Sequence, residues 1–141
     1  MNLVDANVLL YATNSSSSRH DTARTWLSEA LSGEEATGFT WIVLLAFLRL
    51  STHPAIFPRP LDGGAGCEIV RDWLAQPNAV VVEPATGHMA TVTELLAGLG
   101  TAGNLVNDAH LAAIALDRKA TLFSYDNDFA RFPGLDWQIP G

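Results

Sequence analysis

What most constrains this chain is a rhythm: short apolar runs separated by longer stretches of helical periodicity, with no hairpin signal anywhere between them. Residues 2–5, 79–82 and 121–124 are such runs, and Val80, Val81 and Val82 make the second read as an interior strand. A helix can start at Val8. Residues 20–31 carry Ala23, Trp26, Leu27, Ala30 and Leu31 on one helical face, with Asp21 at the start and Gly33 beyond the end. Residues 41–51 are apolar on most sides and read as a buried helix that stops before His53-Pro54. Helices are expected at about 67–74, 87–99 and 105–116, and residues 57–66 read as a Pro- and Gly-bearing connection. Strands joined by helices pair in parallel, and a parallel sheet needs cover on both faces. The expectation is an α/β fold, with residues 1–141 forming a single domain.

Composition narrows the function. The longest unbroken apolar run, residues 41–48, falls far short of the ~20 residues that span a bilayer. No basic stretch followed by an apolar core opens the chain, so no signal peptide and no membrane are expected. Cys67 is the one cysteine, which excludes an internal disulfide, fits a cytoplasmic protein and reads as a buried thiol. Fifteen acids against eight bases leave a net charge of −7, which argues against broad electrostatic binding of nucleic acid. Divalent cations bound by some of those acids would soften that argument. So would the bases themselves, which are all arginine apart from Lys119.

In open parallel sheets, ligands bind beyond the carboxyl ends of the strands. The first strand ends at Asp5, with Asn7 two residues on, and the last delivers Ser124, Asp126 and Asp128. Asp108 falls in the first turn of the 105–116 helix, where the helix dipole favours its ionised form. Brought together, these groups make an oxygen-rich pocket of the kind Mg2+ or Mn2+ prefers, and such an ion can activate water against a phosphodiester. Each acid has an ordinary reading too: Asp5 or Asn7 can cap a helix, and Asp126 and Asp128 can shape a turn. The residues alone leave both open.

The stretches 3–12 around Asp5-Ala6-Asn7, 107–115 around Asn107-Asp108-Ala109-His110, and 124–132 around Ser124-Tyr125-Asp126-Asn127-Asp128 resemble the three signature blocks of PIN-domain proteins. In particular they resemble the toxins of VapBC toxin–antitoxin modules, and the segment from Phe47-Leu48-Arg49 to His53-Pro54 is similar to actinobacterial members. The resemblance implies a PIN-like, RNase-H-like three-layer α/β/α sandwich with a central, mainly parallel sheet. It implies a Mg2+- or Mn2+-dependent endoribonuclease that cleaves RNA such as tRNA or rRNA loops. A cognate VapB-type antitoxin and a homodimer are implied as partners. It assigns Asp5, Asp108 and Asp126 to catalysis and metal binding, Asp128 to the metal as a further acid, and Ser124 and Asn7 to support of Asp5. One departure stands out: where the family carries a glutamate before the Phe-Leu-Arg stretch, this chain has Ala46, and Glu34 and Glu35 in the preceding loop do not replace it. Fewer carboxylates weaken metal binding, most of all for a second ion. A catalytically weakened PIN scaffold acting as a protein-binding module is therefore the rival reading. A phosphohydrolase forming an aspartyl-phosphate at Asp5 is the third, but it needs an aspartate where Asn7 stands.

The remaining candidates are weaker. His110 lies two positions from Asp108, so it points roughly 200° around the helix and reads as a packed or hydrogen-bonded side chain. His20, His53 and His88 show no ligand spacing. Gly63-Gly64-Ala65-Gly66 lacks the strand and Lys-Ser/Thr of a phosphate loop and reads as a flexible connection. Trp26, Trp41, Trp73 and Trp137 can stack bases, though helical apolar patterns favour core roles for most of them. Arg19, Arg24, Arg49 and Arg131 can meet phosphate or an antitoxin carboxylate, against the ordinary reading of a solvated surface.

Overall fold

Leu3 and Val4 have no exposed surface, because the strand that carries them, β1 (Asn2–Val4), lies at the centre of a five-stranded sheet. The computed structural model describes residues 1–141. After β1 come α1 (Ala6–Thr13), α2 (His20–Ser32), β2 (Thr37–Phe39), α3 (Trp41–Ser51), α4 (Gly63–Leu74) and β3 (Ala79–Val81). Then follow α5 (His88–Ala97), α6 (Leu105–Arg118), β4 (Thr121–Phe123), a 3-10 turn (Asn127–Arg131) and β5 (Trp137–Gln138). Every strand pair is parallel, in the order β3-β2-β1-β4-β5.

That order places the site. The chain steps from β1 to β2 to β3 in one direction, then returns to lay β4 on the free side of β1. Parallel crossovers are right-handed, so reversing direction moves the connecting helices to the other face of the sheet. Helices α1 to α4 pack among themselves, α5 packs on α6, and the result is an α/β sandwich with its sheet in the middle. The reversal opens a crevice at the carboxyl ends of β1 and β4, the usual place for a ligand. Beneath it lies one cluster of 24 buried residues, among them Phe39, Phe47, Ile114 and Leu122. Each such side chain contributes about 1.5–3 kcal/mol relative to an exposed one.

Several local expectations need correction. No strand was legible at β2, yet Thr37, Gly38 and Phe39 are all buried between β1 and β3. A Cβ on Gly38 would come within 2.8 Å of Leu3 Cδ2 and 2.9 Å of Val82 Cγ2. Close backbone approach, rather than a β-forming side chain, selects glycine there. β3 is not interior. It is an edge strand whose Val80 and Val81 are 38% and 40% exposed, because valine suits any pleated surface and topology alone decides which strand ends the sheet. α4 begins at Gly63 instead of 67, so the glycine stretch is its first turn and not a flexible connection. Asp62 accepts a hydrogen bond from Ala65 N at 2.8 Å and offsets the poor helix propensity of those glycines. Cys67, on the outward side of that helix, is exposed rather than buried. α3 has the expected bounds but only one buried side: Val43, Leu44 and Phe47 are covered while Trp41 and Leu45 are 49% and 59% exposed. No helix is long and apolar enough to cross a membrane.

Candidate active site

β1 has no residue to spare after Val4. Its next residue, Asp5, leaves the sheet with extended backbone and caps α1, accepting from Ala6 N through Oδ1 at 2.8 Å. The other carboxylate oxygen, Oδ2, accepts from Ser124 Oγ at 2.7 Å and from Asn7 Nδ2 at 3.4 Å. Ser124 is fully buried just beyond β4 and serves as the hub. Its oxygen also accepts from Asn7 Nδ2 and from Asp126 N, each at 3.0 Å, while Asn7 Oδ1 accepts from Tyr125 N at 3.1 Å. Asp126 Oδ1 likewise accepts from Asp128 N at 2.9 Å to start the 3-10 turn, so Asp5 caps a helix and Asp126 shapes a turn, as their ordinary readings expected.

Asp108 comes to the same edge from the first turn of α6. Carboxylate oxygens of Asp108, Asp126 and Asp128 lie within 4.8 Å of one another. Asp5 is not one of that close trio, although its charge is felt at Asp108. Burial, then the charges of Asp126, Asp5 and Asp128, push the Asp108 carboxyl up to about 6. The helix dipole expected to keep Asp108 ionised is thus outweighed by lost solvation and like charge. Burial also raises Asp5, against the lowering effect of the Ser124 and Ala6 hydrogen bonds. Hard oxygen donors crowded at partial burial fit Mg2+ or Mn2+ far better than a soft metal.

Between Asp5 and Asp108 lies a cavity of about 150 Å3, walled by Ala6, Ile42, Val43, Ala46, Asn107 and Leu111. The chain's departure at Ala46 therefore opens directly onto the acidic site. Ile42, four positions before Ala46 on α3, had no polar signature to announce it, and Leu111 reads as plain core. A larger depression of about 590 Å3 between α2 and α4, including Arg24, Leu27 and Trp73, contains none of these aspartates.

The other candidates sort themselves by position. His110 Nδ1 lies 2.8 Å from His88 Nε2, so His110 is hydrogen-bonded as expected, with a partner that spacing could not supply. Burial and the neighbouring His88 lower its pKa. Trp26 and Trp73 pack against the core, Trp137 Nε1 donates to Ser124 O at 3.0 Å, and Trp41 is the exposed one. Arg19 lies over the Tyr125 ring, 4.7 Å from its centroid, and Arg131 Nε pairs with Asp128 Oδ1 at 3.2 Å. Arg24 and Arg49 are exposed.

Known proteins bear on this geometry. The family described as PIN domain matches residues 3–135. Ribonuclease VapC37 of Mycobacterium tuberculosis is 51% identical over 140 residues, covering 99% of this chain and 97% of that one. Ribonuclease VapC33 of the same species is 36% identical over 140 residues, covering 99% and 98%. Among solved structures, VapBC2 from Rickettsia felis bound to a promoter DNA fragment has a TM-score of 0.74 at 18% identity, covering 99% of this chain and 98% of that one. M. tuberculosis VapC20, described as a Sarcin-Ricin loop cleaving toxin, has a TM-score of 0.70 at 15% identity with full coverage of both chains. Likeness at that identity speaks to the fold, while the family match and the closer relatives speak to descent. The chain belongs to the PIN-domain family, within its VapC group.

Proposed function

We propose that this protein is the toxin of a type II toxin–antitoxin module, a Mg2+- or Mn2+-dependent endoribonuclease acting in the cytoplasm on unpaired loops of tRNA or rRNA. The observation that carries the reading is the convergence of Asp108, Asp126 and Asp128, with oxygens within 4.8 Å, at the crevice between β1 and β4. The VapC ribonucleases among its relatives support the reaction class.

Asp108, Asp126 and Asp128 would hold the ion, with Asp5 reaching it through water. A divalent ion bound there supplies Lewis-acid activation of water and neutralises charge at the phosphodiester. Asp5, fixed by Ser124, Asn7 and Ala6, orients a water for in-line attack and has a raised affinity for the proton that water gives up. Its rigid attachment means that little reorganisation is needed during reaction. An exposed loop fits this reading because its unstacked bases and backbone are open to recognition.

A VapB-type antitoxin is the expected partner, supported by solved neighbours that are VapBC complexes. A homodimer is part of the same proposal, with the exposed Trp41 and Leu45 of α3 as the apolar surface that favours it. The rival, a weakened scaffold that only binds proteins, draws on Ala46 lining the acidic cavity.

The test is cleavage of a mixed tRNA and rRNA pool by antitoxin-free wild type and Asp108→Asn, each with Mg2+, Mn2+ or EDTA. Discrete fragments that need metal and vanish in the variant are expected. Equal cutting by both proteins, or none by a folded wild type, would defeat the nuclease reading, and the latter would favour the scaffold.

A further inference from the structure

Asn7, Leu10, Tyr11 and Asn14 fall at helical spacing on one side of α1, and with Ile56 and Phe57 from the turn after α3 they line a pocket of about 210 Å3. Asn7 ties that pocket to the acidic edge, because its amide donates to Asp5 Oδ2 at 3.4 Å and to Ser124 Oγ at 3.0 Å. The pocket thus begins at the helix end that Asp5 caps. From Asn7 to Asn14 it runs outward for about 10 Å at 1.5 Å per residue. Its far wall is held in place: Ile56 N and Phe57 N both donate to His53 O, at 3.1 and 3.0 Å, and Phe57 is buried. Ile56 is 56% exposed, a large apolar side chain with no cover.

The lining is apolar at Leu10, Ile56 and Phe57, aromatic at Tyr11, and polar at Asn14. Asn14 Oδ1 accepts from Ser16 N at 3.0 Å, which leaves its Nδ2 to donate elsewhere. Tyr11 also stands edge-on to Tyr125, with ring centroids 5.3 Å apart. The exposed Arg19 guanidinium lies 5.7 Å from the Tyr11 centroid and 4.7 Å from that of Tyr125. Arg19 forms no ion pair, the two in the protein being Met1–Glu35 and Arg131–Asp128. Pockets for drug-sized ligands run to about 300–1,000 Å3, so this one takes a single ring system and not a helix or a folded segment. An aromatic-walled slot, a spare amide donor and an unpaired cation beside it match one nucleotide, with the base in the slot and the phosphate on the guanidinium.

Resting on the ribonuclease reading above, we infer that this pocket seats one unpaired base of the RNA substrate, beside the phosphodiester that enters the acidic edge, and that Arg19 holds a neighbouring phosphate. Leu10, Ile56, Phe57 and Tyr11 supply contact to the ring, and Asn14 Nδ2 donates to an acceptor on the base edge. A net charge of −7 leaves no broad positive field to hold RNA. Affinity then comes from local stacking and a single cation, which favours an extruded base over a duplex. Phosphate contacts position a nucleic acid and base contacts specify it, so this seat, and not the acids, selects the sequence that is cut.

The experiment is a titration of the full, antitoxin-free chain in EDTA with short single-stranded oligoribonucleotides of A, of C or of U, followed by nuclear magnetic resonance. The Asn14 side-chain amide and the Ile56 methyl signals are expected to move with at least one of the three. Ile56→Ala and Asn14→Ala are expected to weaken that oligonucleotide by about tenfold and to change the order of preference among the bases. Arg19→Gln is expected to weaken all three alike and to flatten the salt dependence. Ile56 and Arg19 are exposed, and the amide spectrum of each variant checks its fold. If no oligonucleotide moves the Asn14 and Ile56 signals, the pocket serves a protein side chain or nothing, and the inference falls. It falls too if folded Ile56→Ala and Asn14→Ala bind as the wild type does. Metal-dependent cleavage by the same preparation is read separately. A wild type that cuts RNA while its pocket signals stay still loses the base seat alone, whereas a filled seat in a chain that cuts nothing supports the seat and defeats the nuclease reading.

Discussion

Ser124 Oγ donates to Asp5 Oδ2 at 2.7 Å, tying the end of β4 to the end of β1 across 119 positions of sequence. The same hydroxyl oxygen receives Asn7 Nδ2 and Asp126 N. One buried serine thus orients the Asp5 carboxylate and ties down the backbone of Asp126. Ser124→Ala leaves three polar groups short of a partner and is expected to cost about 2 kcal/mol in urea unfolding. Cleavage should fall about tenfold with the fold retained, as is usual when a group that orients a metal-site acid is removed. Unchanged stability and unchanged cleavage would show that the hub is dispensable.

Asp108 sets a pH dependence of the metal-free protein. Its carboxyl is raised from the ordinary 3.8 to about 6 by burial first and by Asp126, Asp5 and Asp128 next. Between those values the folded chain binds more protons than the unfolded one, so stability falls as pH rises. The contribution is fully present below 3.8 and lost as pH climbs through about 6. Urea unfolding in EDTA at pH 5 and pH 7 should show the wild type losing stability with rising pH and Asp108→Asn losing less. Parallel slopes for the two proteins would contradict the assignment.

Mutual repulsion among the acids predicts opposite effects of charge and metal. Without metal, Asp108→Asn should melt at or above the wild-type temperature, because a like charge has left a crowded site. With Mn2+ at about a hundred times its dissociation constant, the wild type should gain about 2.7 kcal/mol by linkage and the variant close to nothing. Thermal unfolding with and without Mn2+ checks both halves. A variant stabilised by Mn2+ as much as the wild type would place the ion elsewhere.

Gly38 supplies a prediction about the sheet alone. An added methyl meets Leu3 Cδ2, Val82 Cγ2 and, at 3.1 Å, Met1 Sδ. Gly38→Ala should therefore destabilise by about 1–3 kcal/mol through overpacking. It should shift β1 relative to β2, so cleavage falls along with stability. A neutral substitution would mean that the side chains around β2 yield more readily than a close-packed centre should.

The sequence by itself determined the architecture class and singled out the acids that gather at one edge of the sheet. Helical periodicity and the absence of tight turns imposed parallel pairing, since local patterns reflect which faces are buried. Asp5, Asp108, Asp126 and Asp128 were legible because each follows a strand or opens a helix, and such punctuation is local. The sheet's strand order was not. Thr37-Gly38-Phe39 has no β-forming run, and three valines in a row read as interior although β3 ends the sheet. Only the tertiary structure decided that Asp5 spends its oxygens on Ser124, Asn7 and Ala6 while the other three acids close on one another. It alone placed His88 against His110 and put Ile42 and Leu111 on the wall of the cavity beside Asp5 and Asp108. The physical reason is the same in each case. Hydrogen bonds and ion sites depend on distances of a few ångströms between elements far apart in the chain, and those distances are set by how the layers pack, not by any pattern within one element.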